Sequence, residues 1–149
     1  MMTHCHTRVR INWGDCDAAG IVFYPHFFRM MDEAFQSLLR ERGLSMQGLQ
    51  ARYAVVGTPL LEASATFRSP ACCEDLLDIE ASVVELSNKT FRVAYTARLG
   101  ERVIFEGFEL RAFVRRFPDG RLGSIAIPEE FKADLQQPGA HPPALTATD

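Results

Sequence analysis

Between residues 27 and 39 the apolar positions recur with the spacing of a helix. Phe27, Met31, Ala34, Phe35 and Leu38 fall on one face, with Phe28 and Leu39 beside them, while Arg29, Glu33, Gln36 and Arg40 fall opposite. The pattern predicts a helix over residues 25–42. Pro25 opens it, because a proline loses nothing at the first helical position, and Gly43 closes it after basic Arg40 and Arg42. So wide an apolar face calls for a wrapping layer such as a curved sheet. Asp32 stands on the margin of that face, where an acid either reaches water or faces a pocket.

Elsewhere the period is two. Thr7, Val9, Ile11 and Trp13 alternate with Arg8, Arg10 and Asn12, which predicts a half-buried strand that delivers the chain to Asp15 and Asp17. After a connector or short helix over residues 45–53, Gly57-Thr58-Pro59 interrupts the chain. Leu61, Ala63, Ala65 and Phe67 then alternate with Glu62, Ser64, Thr66 and Arg68. Three long strands follow over residues 77–86, 91–97 and 103–117, turning at Ser87-Asn88-Lys89 and Gly100-Glu101. Pro118-Asp119-Gly120 is a strong turn signal, residues 122–127 return briefly, and Pro128-Glu129-Glu130 has the proline and acids of a short helix start. The order of strand, long helix and four or five antiparallel strands predicts one α+β domain over residues 1–135. Residues 136–149, rich in Pro, Ala and Thr, read as a disordered tail.

Composition narrows the function more than the fold. The 149 residues suffice for one core without staples, and a net charge of −3 gives no basic footprint for nucleic acid. No stretch approaches a membrane span or a signal peptide, so a cytoplasmic protein is expected. Cys5, Cys16, Cys72 and Cys73 lack zinc-like spacing, and adjacent Cys72 and Cys73 suit a disulfide poorly. His4-Cys5-His6 has no later partner cluster, so no metal is expected. With only His26 and His141 elsewhere, a histidine-based triad has few candidates.

The chemistry concentrates in residues 14–25. Asp17 stands a few residues ahead of a helix start, where backbone N–H groups and the macrodipole attract charge that develops on a carbonyl under attack. An acid there serves as nucleophile or as a base on water. Equally, Asp15 or Asp17 serves only as a cap of the helix or a turn. Ala18, Ala19 and Gly20 leave room for close approach to the backbone.

The string Gly14-Asp15-Cys16-Asp17-Ala18-Ala19-Gly20-Ile21-Val22-Phe23-Tyr24-Pro25, followed by Asp32 and Gly57-Thr58-Pro59, resembles the hot-dog-fold thioesterases of the 4-hydroxybenzoyl-CoA thioesterase family. The resemblance runs from about Thr7 to Phe131. It implies a long helix wrapped by a curved antiparallel sheet of about five strands, in chains that pair edge to edge and commonly form dimers of dimers, hence a homotetramer. It implies Asp17 as the catalytic carboxylate and the Tyr24 N–H as the donor that polarises the thioester carbonyl. Asp32, Thr58, Gly57 and Phe23 would line the acyl pocket, and Lys89 and Thr90 would meet coenzyme A, which is part of the substrate; no separate cofactor is implied. Pro25, where many short-chain members have His, favours an aryl-CoA such as 4-hydroxybenzoyl-CoA or benzoyl-CoA. Short-chain acyl-CoA or acyl-carrier-protein thioesterase, hydro-lyase and non-catalytic acyl-CoA-binding module are the rival readings.

Overall fold

In a computed structural model that describes residues 3–137, the helical stripe forms α1 (Pro25–Arg40), and the sheet wraps it as the width of its apolar face requires. Met30, Met31, Ala34, Phe35, Leu38 and Leu39 are fully shielded from solvent. The helix stops two residues short of the predicted end, because the amide of Leu44 turns back to the carbonyl of Leu39 and that of Gly43 to Arg40.

The sheet has five antiparallel strands: β1 (Thr3–Arg10), β2 (Leu60–Phe67), β3 (Leu76–Leu86), β4 (Thr90–Leu99) and β5 (Arg102–Ala112), in the spatial order β1-β3-β4-β5-β2. Register puts the apolar rows on one face: Ile79 lies opposite Ala97, Ala97 opposite Phe105, and Tyr95 opposite Gly107. Irregular steps in the β2–β5, β3–β4 and β4–β5 ladders accompany the curvature. Gly107 sets how near the helix comes, since a Cβ there would lie 2.6 Å from the carbonyl oxygen of Ser64 and 3.0 Å from the methyl of Met31.

Two further boundaries move, and one strand is less covered than its pattern predicts. Trp13 does not extend the first strand; it opens a 3₁₀ turn (Trp13–Asp15) and is 85% exposed. Asp15 forces this departure, because its buried carboxylate accepts the Asn12 amide at 2.8 Å and folds the chain back after Arg10. The strand predicted over residues 103–117 divides at buried Phe113: β5 ends at Ala112, and β6 (Val114–Arg116) pairs with β7 (Leu122–Ser124) in a separate hairpin. Strand β2 buries neither face, for Leu60, Leu61 and Phe67 are all about half exposed along an outer sheet edge.

The connector forms α2 (Met46–Tyr53), capped by the hydroxyl of Ser45 on the Gly48 amide. The final helix α3 (Glu129–Gln136) closes the open end of the core with Phe131, whose ring lies 5.1 Å from Phe113 and 5.9 Å from Phe91. Residues 138–149, most of the expected tail including His141, lie outside the described residues. No helix among the described residues is long and apolar enough to cross a membrane.

Candidate active site

The loop before α1 is a miniature hairpin hung on Asp15. The Asp15 carboxylate accepts Arg29 at 2.6 Å, and the Asp15 carbonyl accepts the Phe23 amide at 2.9 Å. Cys16 and Val22 pair as a bridge, and the amide of Val22 ties the hairpin to the carbonyl of Ala71. At its tip the amide of Asp17 donates to Ile21 and that of Gly20 donates back to Asp17, a turn that needs the positive φ of 80° at Gly20.

Asp17 is thus displayed on a tight turn. Its Oδ1 accepts the Ala19 amide at 2.8 Å, so it does cap a turn, while no partner occupies Oδ2 among the described residues. It lines a cavity of about 380 Å³ with Trp13, Cys16, Ala18, Gly20 and Cys73. Tyr24 follows the hairpin as the cap of α1, ahead of Pro25, and its amide has no partner among the described residues. Its ring lies on Phe67 in a different, apolar cavity of about 460 Å³. Within one chain, therefore, Asp17 and Tyr24 flank the same hairpin without sharing a cavity. Phe23 is half exposed, edge-on to Tyr24 and His26.

Asp32 lies two helical turns into α1, with its side chain 54% exposed, in an open cleft of about 600 Å³ between α1 and β1. Gly57 and Thr58 are buried ahead of β2. Gly57 holds a φ of +148° and would press a Cβ to within 3.0 Å of the Met46 sulfur. The Thr58 hydroxyl is buried and has no hydrogen-bond partner among the described residues. Lys89 and Thr90 stand at the β3–β4 turn, and neither lines the cavities of Asp17, Tyr24 or Asp32. His4 and His6 lie in β1, bonded to Ser82 and Asp78.

Asp32 and Thr58 are joined by residues that sequence reasoning missed. Arg111 donates to Asp32 Oδ1 at 2.9 Å and to the Thr58 carbonyl at 3.0 Å, and its guanidinium is paired with Glu109 and stacked on Phe35. Tyr95 donates to the same Glu109 oxygen at 2.6 Å. Burial works against the charge on Arg111, but Glu109 outweighs it and the guanidinium is held above its ordinary pKa. Burial, and then Glu109, push the Tyr95 phenol far up, so it remains a donor. The signal was present in the sequence: Phe105, Glu109, Arg111 and Phe113 share one phase of the strand alternation, which places opposite charges in the buried row.

The family model of the thioesterase-like superfamily matches residues 11–135. The 4-hydroxybenzoyl-CoA thioesterase of Pseudomonas sp. strain CBS-3 is 33% identical over 129 residues, covering 82% of this chain and 90% of that protein. A 1,4-dihydroxy-2-naphthoyl-CoA hydrolase of Synechocystis sp. is 31% identical over 124 residues, with 83% of each chain covered. Among solved structures, the D17N mutant of 4-hydroxybenzoyl-CoA thioesterase complexed with 4-hydroxybenzoyl-CoA superposes with a TM-score of 0.81 at 28% identity, covering 90% of this chain and 99% of that one. With likeness that spans the sheet, the central helix and the hairpin between them, the chain belongs to the thioesterase-like superfamily and has its hot-dog fold.

Proposed function

We propose that this acyl-CoA thioesterase acts on the thioester of a hydroxylated aromatic acid, 4-hydroxybenzoyl-CoA or a close analogue, with Asp17 as its catalytic carboxylate. The observation that carries the proposal is the hairpin itself, which displays a carboxylate with one oxygen unengaged just ahead of the unpartnered Tyr24 amide at the head of α1. The thioester oxygen accepts that N–H, a contribution on the order of 3 kcal/mol to the transition state. Asp17 attacks the carbonyl carbon and expels the thiolate, leaving a mixed anhydride that water opens; alternatively it takes a proton from the attacking water. Thiolate leaves readily, so the step needs no histidine as general acid.

Two features support an aromatic acyl group. Asp32 lies eight residues along α1 from Tyr24, about 12 Å of axial rise, shortened by the lean of its side chain toward the helix start. That suits a ring with hydrogen bonds at both ends. The relatives named above act on hydroxylated aryl thioesters, and 1,4-dihydroxy-2-naphthoyl-CoA is the second reading on the strength of the Synechocystis relative. Self-association along β2 would cover Leu60, Leu61 and Phe67 and add a second wall to the cavity of Tyr24, which Phe67 lines. A dimer, or a dimer of dimers, is therefore part of the proposal. Lys89 and Thr90 are proposed to meet coenzyme A from the β3–β4 turn.

Thiol release measured across 4-hydroxybenzoyl-, benzoyl-, 1,4-dihydroxy-2-naphthoyl-, acetyl- and palmitoyl-CoA tests this. Fastest release from a hydroxylated aryl thioester is expected. Preference for an aliphatic chain would overturn the aromatic assignment, and binding without thiol release would make the domain an acyl-CoA-binding module. Thr58→Val gives a second check with opposite signs on two readouts. Removing a buried hydroxyl without a partner should raise the stability of the free protein by about 1 kcal/mol. It should also weaken binding of the hydroxylated substrate, because that hydroxyl is proposed to face the acyl group. Calorimetry and KM read the two effects separately.

A further inference from the structure

Strand β5 carries two charges in its buried row, where the adjoining rows carry apolar side chains. Glu109 and Arg111 stand opposite Val93 and Phe91 in the β4 ladder and are only 1% and 4% exposed. A buried ion pair seldom stabilises a core more than apolar residues of the same volume would. Here its contacts point outward from the pair to the candidate site. Arg111 Nε and Nη2 lie 2.9 and 2.8 Å from Glu109 Oε2, Nη1 donates to the Thr58 carbonyl, and Nη2 reaches Asp32 Oδ1. Phe35 supports the guanidinium from one side at 4.0 Å, and Tyr95 fixes Glu109 from another strand.

We propose that Arg111 is a specificity-determining positioning residue, locked by Glu109 and Tyr95, which holds Asp32 so that its free oxygen selects acyl rings bearing a hydrogen-bond donor. Without that guanidinium, a half-exposed aspartate on a helix surface would have several rotamers open to it. With it, Oδ1 is engaged and Oδ2 is left as an acceptor in a defined place. A planar guanidinium can bridge strand, helix and the segment before β2 at once, whereas a lysine ammonium is a single point on a flexible stem. The charges also discriminate. Two carboxylates share one cation, so the cluster welcomes a phenolic O–H and repels a ring carboxylate.

The inference rests on the aryl-CoA reading above, and its test separates the two. Wild type, Arg111→Lys, Asp32→Asn, the double variant and Tyr95→Phe are assayed by thiol release with 4-hydroxybenzoyl-CoA and benzoyl-CoA, with kcat and KM determined for each. Wild type should prefer the hydroxylated ring by about tenfold or more in kcat/KM. Arg111→Lys and Asp32→Asn should each erase that preference, mainly through KM, and the double variant should lose no more than either single one. Tyr95→Phe keeps the ring and the fold, and should cost roughly threefold of the preference. Equal losses on both substrates, with the preference intact, would reduce Arg111 to a structural role and overturn the proposal. If Arg111→Lys does not fold, an unchanged preference in Tyr95→Phe overturns it instead. Failure of wild type to release thiol from either aryl thioester marks the aryl-CoA reading as the error. Brisk hydrolysis of both by wild type, with a preference indifferent to these substitutions, marks this one.

Discussion

Replacing Asp17 with asparagine should lower turnover by roughly a thousandfold or more while leaving the fold unchanged. The turn that displays Asp17 depends on Oδ1, which accepts the Ala19 amide, and asparagine keeps an oxygen in that place. The remaining turn bonds, from the amides of Asp17 and Gly20, belong to the main chain. What disappears is the negative charge at the oxygen with no partner. Neither attack on a carbonyl carbon nor removal of a proton from water survives that loss, so both routes predict the same outcome. Thiol release beside a thermal melt reads it. Activity within about tenfold of wild type, in a variant that melts normally, would remove Asp17 from the chemistry.

The central helix was legible because its apolar stripe is continuous and its ends carry Pro25 and Gly43. The strands were legible where alternation reflects a single buried face. Trp13 misled for a tertiary reason: the alternation runs on through it, yet the buried carboxylate of Asp15 holds Asn12 and Arg29 and takes the chain off the sheet. Leu61 and Phe67 misled for another. Their alternation is that of a covered face, but in the single chain β2 is a sheet edge whose Leu61 and Phe67 stay about half exposed.

The candidate site was legible in part. Asp17, Tyr24, Asp32 and Thr58 were singled out as candidates through a motif, and the structure ties Asp32 to Thr58 through Arg111. It does not put Asp17 and Tyr24 into one cavity, a relation that depends on how surfaces meet and that no sequence spacing encodes. Arg111 and Glu109 escaped because charged residues in a long strand suggest a solvated face. Only counting their phase against Phe105 reveals that they point inward.

Glu109→Ala should destabilise the protein by about 3 kcal/mol, because it leaves the guanidinium of Arg111 buried without its closest counter-charge. For a chain of this size that is a fall of roughly 6–12 °C in melting temperature. Tyr95 would also lose its acceptor, which adds to the cost. Replacing both members, Glu109→Leu with Arg111→Met, should recover most of the lost stability, since the core then holds neither an unpaired charge nor a large void. The same double variant should not regain preference for a hydroxylated ring, because Asp32 is released to solvent. Melting temperature would then recover between the single and the paired replacement while substrate preference stays lost. That separation is what a positioning role demands. If the apolar pair kept the preference, Asp32 would owe its orientation to the helix alone, and the buried charges would matter only to packing.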